Sequence, residues 1–87
     1  MPDDDAQRAH KQELANLGRA FREARERSGL SEREVADAVR GISLDGIRKI
    51  EAGERPSFNY EQIIRLADAL GAEPTAIIVR AESLAVE

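Results

Sequence analysis

The 87-residue sequence contains no cysteine, one histidine and only three aromatic residues. Without cysteine the chain forms no disulfide and no thiolate metal site, and it tolerates a reducing compartment. It has no apolar run of the roughly 18 residues needed to cross a membrane. The acidic start, MPDDD, is unlike a secretory signal peptide. We therefore expect a cytoplasmic protein without a membrane partner.

Catalytic constellations are also missing. The single histidine, His10, lies in a polar stretch, where a solvated side chain is the simpler interpretation than a catalytic one. There is no pair of histidines at metal-ligand spacing and no glycine-rich phosphate loop. Ser31 and Ser43 fit helix caps better than nucleophiles. We expect no enzymatic activity, no cofactor and no metal.

The length and net charge of the chain restrict the remaining classes of protein. A chain of 87 residues with 41% hydrophobic and 34% charged residues suits one small helical domain, whose thin core makes pairing with a second copy plausible. The net charge of −4 argues at first sight against nucleic acid, because binding phosphates requires lysine and arginine. However, residues 14 to 55 carry nine basic and eight acidic side chains, so the acidic excess lies in the flanks.

Capping patterns divide the chain into five helices, and no strand pattern competes. Apolar residues from Leu14 to Ala24 recur at three- and four-residue spacing, up to a stop at Gly29. The pattern SERE opens a second helix with a capping box, and Ser43 caps a third that ends at Gly53. Asn59 opens the fourth with a second capping box, since Gln62 follows three residues on. Pro74 falls in the first turn of the fifth.

The domain organisation follows from these patterns. We predict a polar leader over residues 1–13, a helical domain over 14–80 and a tail over 81–87. Asp3 to Asp5 can cap a helix whose first turns fray. We expect the aromatic residues, Phe21, Phe58 and Tyr60, to pack in the core rather than to stack on a ligand.

The second and third helices are joined by a turn of about three or four residues, which is the frame of a helix-turn-helix. At about 100° per residue, Ile47 and Ile50 mark the buried side of the third helix. Arg48 and Lys49 then project outward, as in a helix that enters a major groove. The alternative is that these two cations form an ordinary solvated face.

Two charges fall on inward edges of their helices. Arg25 follows Ala24 on the apolar side of the first helix, and Glu51 borders the buried side of the third. Buried charges are costly unless they are paired, so we predict a partly buried Arg25–Glu51 ion pair with a structural role.

Three segments together resemble the Cro-like (XRE-type) helix-turn-helix regulators, the family of lambdoid phage repressors. These segments are LGRAFREARERSGLSEREVADAV, ISLDGIRKIEAGER and IIRLADALGAEPTAII, and the resemblance covers about residues 17 to 79. It implies an all-α, five-helix lambda-repressor-like DNA-binding domain whose third helix lies in the major groove of double-stranded DNA, usually as a dimer. It also implies the Arg25–Glu51 pair.

The resemblance places base-reading positions on Leu44, Asp45 and Lys49, with guanine as the expected target of Lys49. Asp45 fits a cytosine amino group equally well as it fits the positive end of the helix. The resemblance implies phosphate contacts at Ser43 and Arg55. We interpret Arg40 and Arg48 as cations that bind the DNA backbone rather than base edges.

Three departures from the family pattern stand out. Glu32 occupies a position commonly held by a phosphate-binding glutamine, and a carboxylate repels phosphate. The turn before the third helix looks one residue longer than usual. Gly46 stands where threonine or serine is common, and glycine weakens a helix interior by up to about 1 kcal/mol relative to alanine.

The last helix and tail contain more apolar residues than one buried stripe requires. A two-fold interface would cover them, and the residues we assign to it are Ile77, Ile78, Ala81 and Leu84. The alternative is that half of the apolar residues close the core of one chain and the rest form a frayed tail.

The sequence supports two candidate functions. The first is a sequence-specific transcriptional regulator that binds an inverted-repeat operator as a homodimer. The second, favoured by the acidic balance and by Glu32, Asp45 and Gly46, is a helix-turn-helix domain repurposed to bind a protein, as an antiactivator or antitoxin-like module. Substitution of Arg48 and Lys49 by alanine separates them, since only the first requires these cations.

Overall fold

The computed structural model describes residues 2–54 and 59–86, with side chains from Arg8 onward. Within these ranges the chain forms five α-helices and no strand. Their bounds are α1 Pro2–Ser28, α2 Glu32–Ala38, α3 Leu44–Ala52, α4 Tyr60–Ala69 and α5 Pro74–Ala85. The all-α, five-helix architecture predicted from the sequence is therefore confirmed.

The first helix begins earlier than its apolar pattern. α1 runs without a break from Pro2 to Ser28, so the stretch predicted as a polar leader continues the same helix. Burial along α1 starts only at Leu14, which is half-buried, while residues 8 to 13 are exposed. The apolar spacing thus located the part of the helix that packs on the domain, not the start of the helix.

Capping side chains set the starts of two further helices. The Ser31 hydroxyl accepts from the Glu34 backbone N–H (3.0 Å), and the Glu34 carboxylate accepts from the Ser31 N–H (2.9 Å). The same reciprocal arrangement joins Asn59 and Gln62 at the start of α4. Both capping boxes were predicted from sequence. Pro74 occupies the first turn of α5, also as predicted.

The core lies where α1 packs against α3 and α5, with α2 and α4 closing its sides. Every helix contributes to it, since it contains Phe21 of α1, Val35 of α2, Ile50 of α3, Leu66 of α4 and Ile77 of α5. Each of these side chains is at most 3% exposed. Because all five helices share one core, displacing α1 would disturb the whole helix-turn-helix.

The prediction for the aromatic residues holds only in part. Phe21 is buried, whereas Tyr60 is 57% exposed, so the prediction that Tyr60 packs in the core was wrong. Tyr60 is the first residue of α4, on the edge of the stripe formed by Ile63, Leu66 and Ala67, and its phenol reaches water from there. Phe58 lies outside the described residues.

The turn of the helix-turn-helix spans residues 39 to 43, five residues rather than the three or four expected. Val39 leaves the helix in an extended conformation, while its N–H still donates to the Val35 carbonyl (3.0 Å). Val39 and Ile42 are both buried. The extra length of this turn therefore brings two apolar side chains into the core.

A bidentate ion pair connects the fifth helix to the first. The Arg80 guanidinium donates from Nε to Oε1 of Glu23 (2.8 Å) and from Nη2 to Oε2 (3.2 Å). These hydrogen bonds hold the pKa of the Glu23 carboxyl below its ordinary value of 4.5, against the opposing effect of desolvation. Glu23 thus stabilises the fold when it is ionised.

We expect Glu23→Gln to reduce the acid sensitivity of folding. A depressed folded-state pKa gives stability that is complete above pH 4.5 and is lost as the pH falls through the lower folded value. Because the Glu23–Arg80 pair is partly exposed, its contribution to the free energy of unfolding should be about 0.5–1 kcal/mol. Urea unfolding at neutral pH and at pH values below 4.5 measures it.

Glu26→Gln is the matched control. Glu26 lies on the same helix and pairs with Arg22 only at 3.7 Å, with both side chains more than half exposed. An equal change in acid sensitivity for both variants would contradict the role assigned to Glu23.

Candidate nucleic-acid interface

Two isoleucines fix which face of α3 is exposed. Ile47 and Ile50 are each 1% exposed and point into the core. On the opposite face the side chains of Arg48 and Lys49 are 62% and 56% exposed. Burying an isoleucine contributes about 1.5–3 kcal/mol, so this orientation is strongly preferred. The helix therefore presents both cations to solvent.

The ends of α3 are set by its own residues. The Ser43 hydroxyl caps the start by accepting from the Gly46 backbone N–H (3.1 Å). Gly53 ends the helix in the left-handed conformation (φ +72°), which glycine adopts without steric cost. The Glu54 N–H then donates to the Lys49 carbonyl (2.9 Å), which closes the helix end.

α1 lies unusually close to α3 at two points, and the sequence pattern did not reveal this. A Cβ atom built on Gly18 would lie 2.1 Å from the backbone oxygen of Ile50. A Cβ atom built on Gly53 would lie 2.7 Å from Cα of Ala15. Contacts this short leave no space for a side chain, so backbone packs on backbone there. A glycine inside a helix is the only sequence clue to Gly18.

The predicted pair between Arg25 and Glu51 is present and locks the same two helices together. Arg25 donates from Nε to Oε2 (2.7 Å) and from Nη2 to Oε1 (3.0 Å), and its Nη1 donates to the Leu30 carbonyl (3.0 Å). The side chains are only 15% and 9% exposed. Hydrogen bonding to Glu51 raises the pKa of the Arg25 guanidinium, helped by the charges of Glu51 and Glu32 and opposed by burial.

Both exposed cations of α3 have an acidic neighbour. Arg48 Nε lies 3.7 Å from Oε1 of Glu32 on α2, and Lys49 Nζ lies 3.2 Å from Oδ2 of Asp45 one turn earlier. The Lys49–Asp45 spacing of four residues is readable from the sequence. The Arg48–Glu32 contact joins two helices, and sequence reasoning identified Glu32 only as an acid near phosphate.

The other predicted DNA contacts are spread around this face. Ser43 and Asp45 are exposed at the start of α3, and Leu44 is half-buried beside them. Arg40 lies beyond the opposite end of α2 from Glu32, in a cleft with Arg65 and Asp68 of α4. Arg55 lies outside the described residues.

The four residues assigned to a dimer interface do not share one environment. Ile77 and Leu84 are 1% and 7% exposed within the single chain, so they offer a partner almost no surface. Ile78 and Ala81 are half-buried and line a cleft of about 410 Å³ between α1 and α5. Val79 and Val86 are exposed on α5 and directly after it. Only Ile78 and Ala81 of the four keep surface for the predicted interface.

Within residues 2–54 and 59–86, no group of three or more His, Cys, Asp or Glu side chains is arranged to hold a metal ion. None of the described helices has the length and apolarity required to cross a membrane.

This fold, with a capped third helix that exposes two cations, defines a helix-turn-helix DNA-binding domain. Residues 16–77 match the family described as "Helix-turn-helix domain". The match covers well over half of the chain, and the chain belongs to this family, as a helix-turn-helix transcription regulator of the Cro/XRE type. Proteins with this fold are typically not enzymes.

The crystal structure of the clp gene regulator ClgR from C. glutamicum has a similar fold, with a TM-score of 0.77 and 28% sequence identity. The alignment covers 83% of this chain and 91% of the ClgR chain. No curated protein matches the sequence.

Proposed function

We propose that the protein regulates transcription by binding an inverted-repeat operator as a homodimer. The observation that carries this proposal is the exposed cationic face of α3, which Ile47 and Ile50 hold away from the core. The likeness to ClgR, a clp gene regulator, supports the same role for this chain.

In the proposed complex α3 enters the major groove, which is about 12 Å wide. Lys49 donates to a guanine edge, Asp45 accepts from a cytosine amino group and Leu44 packs on a thymine methyl. Arg48, Ser43 and Arg40 hold the phosphate backbone, which positions the domain without reading sequence. Arg55 is a further phosphate contact in this proposal.

The apolar surface of α5 supports the homodimer. Ile78 and Ala81 line the cleft between α1 and α5 together with Leu17, and Val79 is 63% exposed on the outer side of the helix. A small domain gains stability by covering such residues, and a second copy of the chain is the occupant we propose. A two-fold pair places two recognition helices about 34–36 Å apart, one DNA turn.

The spacing of half-sites tests the proposal. We expect the protein to footprint an inverted repeat in DNA upstream of its own gene, with half-site centres about one turn apart. Inserting about half a turn of DNA between the half-sites puts them on opposite faces of the duplex and should weaken binding about a hundredfold, because only one domain then docks. Sedimentation of the free protein and of the complex gives the stoichiometry. Equal affinity for both spacings, or a single chain on the operator, would refute the homodimer.

Alanine substitution separates the roles of the two cations. Lys49→Ala should lose about tenfold or more in operator affinity and relax the preference at one base pair, because it removes a base contact. Arg48→Ala should weaken binding uniformly across sequences and reduce the salt slope by about one. Fluorescence anisotropy with the operator and its single-base variants measures both. A loss of base preference in Arg48→Ala instead would reverse the assignment.

A protein-binding role is the second candidate, favoured by the acidic neighbour beside each exposed cation of α3. The two carboxylates partly neutralise these cations, which disfavours a polyanion, and a protein partner bound through other residues does not require them. In that case the Arg48→Ala, Lys49→Ala double variant keeps its partner and the wild type binds no duplex even at low salt.

A further inference from the structure

An open cleft of about 300 Å³ lies between α1, α2 and α3, beside the exposed face of α3. Its walls carry three guanidinium groups, from Arg22, Arg25 and Arg48, and two carboxylates, from Glu32 and Glu51. Ala52 completes the lining. A DNA-binding surface gains affinity from cations, because neutralising phosphates releases counterions. A carboxylate in such a cleft opposes that gain.

The two carboxylates differ in what they do for the fold. Glu51 makes two hydrogen bonds to Arg25 and is 9% exposed, so it is part of the packing. Glu32 approaches Arg48 only to 3.7 Å, which is longer than a hydrogen bond, and its side chain is 31% exposed. Exposed ion pairs of this geometry contribute little to folding. Apart from the favourable place of an acid in the first turn of α2 and its attraction to Arg25, Glu32 contributes little to the fold.

We propose that Glu32 is an internal competitor of DNA phosphate for Arg48 and thereby sets the affinity of the protein for every duplex. Its carboxylate neutralises the guanidinium that a phosphate would otherwise bind, and a duplex must displace it. The proposal rests on the phosphate contact assigned to Arg48 above.

The competition acts on phosphate contacts and not on base contacts. Phosphate contacts supply essentially all of the binding to random DNA, whereas the operator adds base contacts from the first turns of α3. Glu32 therefore lowers the affinity for both by the same factor. At a given protein concentration little random DNA is then bound, while an operator with enough base contacts remains bound.

The test is the affinity of Glu32→Gln for an operator duplex and for a random duplex, between about 50 and about 200 mM salt. Glutamine keeps the size of the side chain, but its amide can itself donate to phosphate, so Glu32→Met, which has no donor, is measured beside it. The Ser31–Glu34 capping box at the start of α2 is untouched in both variants. We expect binding about threefold to fivefold tighter per protomer on both duplexes, because phosphate no longer has to displace an exposed ion pair worth at most about 1 kcal/mol. The plot of log K against log salt should steepen by about 0.9 per protomer, because Arg48 now neutralises a phosphate fully.

Glu73→Gln is the matched control for the change in net charge. Glu73 is exposed at the start of α5, where its side chain makes no capping hydrogen bond. A second comparison repeats Glu32→Met in an Arg48→Ala background. If the carboxylate acts by competing for Arg48, its removal brings little gain once Arg48 is gone.

Each outcome decides the proposal. Equal gains per protomer on both duplexes that disappear in the Arg48→Ala background support it. A gain no larger than that of Glu73→Gln, a gain confined to the operator, or a Glu32→Met gain that persists without Arg48 overturns it. Binding to random DNA requires neither an operator nor a dimer, so an absent operator leaves this test intact. A wild type that binds no duplex at about 50 mM salt overturns both proposals.

Discussion

Gly18→Ala is expected to destabilise the protein by about 3 kcal/mol, although alanine favours a helix over glycine by about 1 kcal/mol. The reason is steric, since the new methyl group would lie 2.1 Å from the Ile50 carbonyl oxygen and 3.0 Å from that of Glu51. Both atoms belong to the backbone of α3 and cannot move aside as a side chain would. The two helices must separate.

Thermal unfolding followed by circular dichroism measures the effect. For a domain of this size 1 kcal/mol corresponds to about 4–8 °C, so we expect the melting temperature to fall by more than about 12 °C. The sign is decisive, because helix propensity alone predicts a more stable variant. A Gly18→Ala protein as stable as the wild type would show that α1 and α3 do not touch at this point.

Gly71→Ala is a useful comparison, because it makes the same chemical change without the steric contact. A Cβ atom on Gly71 would meet nothing within 4 Å, but its φ of +68° costs alanine about 1–2 kcal/mol. Gly71→Ala therefore measures a purely conformational cost, and the steric loss in Gly18→Ala should exceed it. We also expect Gly18→Ala to weaken DNA binding, because the contact with α1 fixes the position of α3.

The difference between Gly18 and Arg25 explains how far the sequence could predict the fold. A charge on the apolar edge of a helix requires a partner, so Arg25 and Glu51 could be paired from the sequence. Capping boxes are equally local, and both were correct. A glycine inside a helix has no such requirement, and its contact is with the backbone of a residue 32 positions away. Contacts of that kind depend on how two helices cross, which no local pattern specifies.

The candidate site shows the same limit. The outward face of α3 follows from two isoleucines and the helical period, and Lys49–Asp45 follows from a spacing of four. The contact between Arg48 and Glu32 depends on the angle between α2 and α3. The buried positions of Ile77 and Leu84 depend on how α5 packs on α1, and periodicity did not distinguish them from Ile78.

Glu51→Gln is the second variant with a large expected effect, a loss of about 3 kcal/mol. Removing one partner of a buried ion pair leaves the other charge without compensation, which typically costs about 3–5 kcal/mol. We expect the lower end, because the Arg25 side chain is still 15% exposed and keeps its hydrogen bond to the Leu30 carbonyl. Urea unfolding at neutral pH measures the loss.

A double-mutant cycle then separates the pair from its surroundings. Arg25→Met with Glu51→Met removes both charges and fills similar volume, so the double variant should be more stable than either single variant. It should not fully recover wild-type stability, because the Leu30 carbonyl loses its donor. Arg22→Met, which removes an exposed guanidinium from the same helix, should change stability by less than about 0.5 kcal/mol. Additive losses in the cycle would mean that Arg25 and Glu51 stabilise the domain independently, and that the bidentate contact is not what holds α3 against α1.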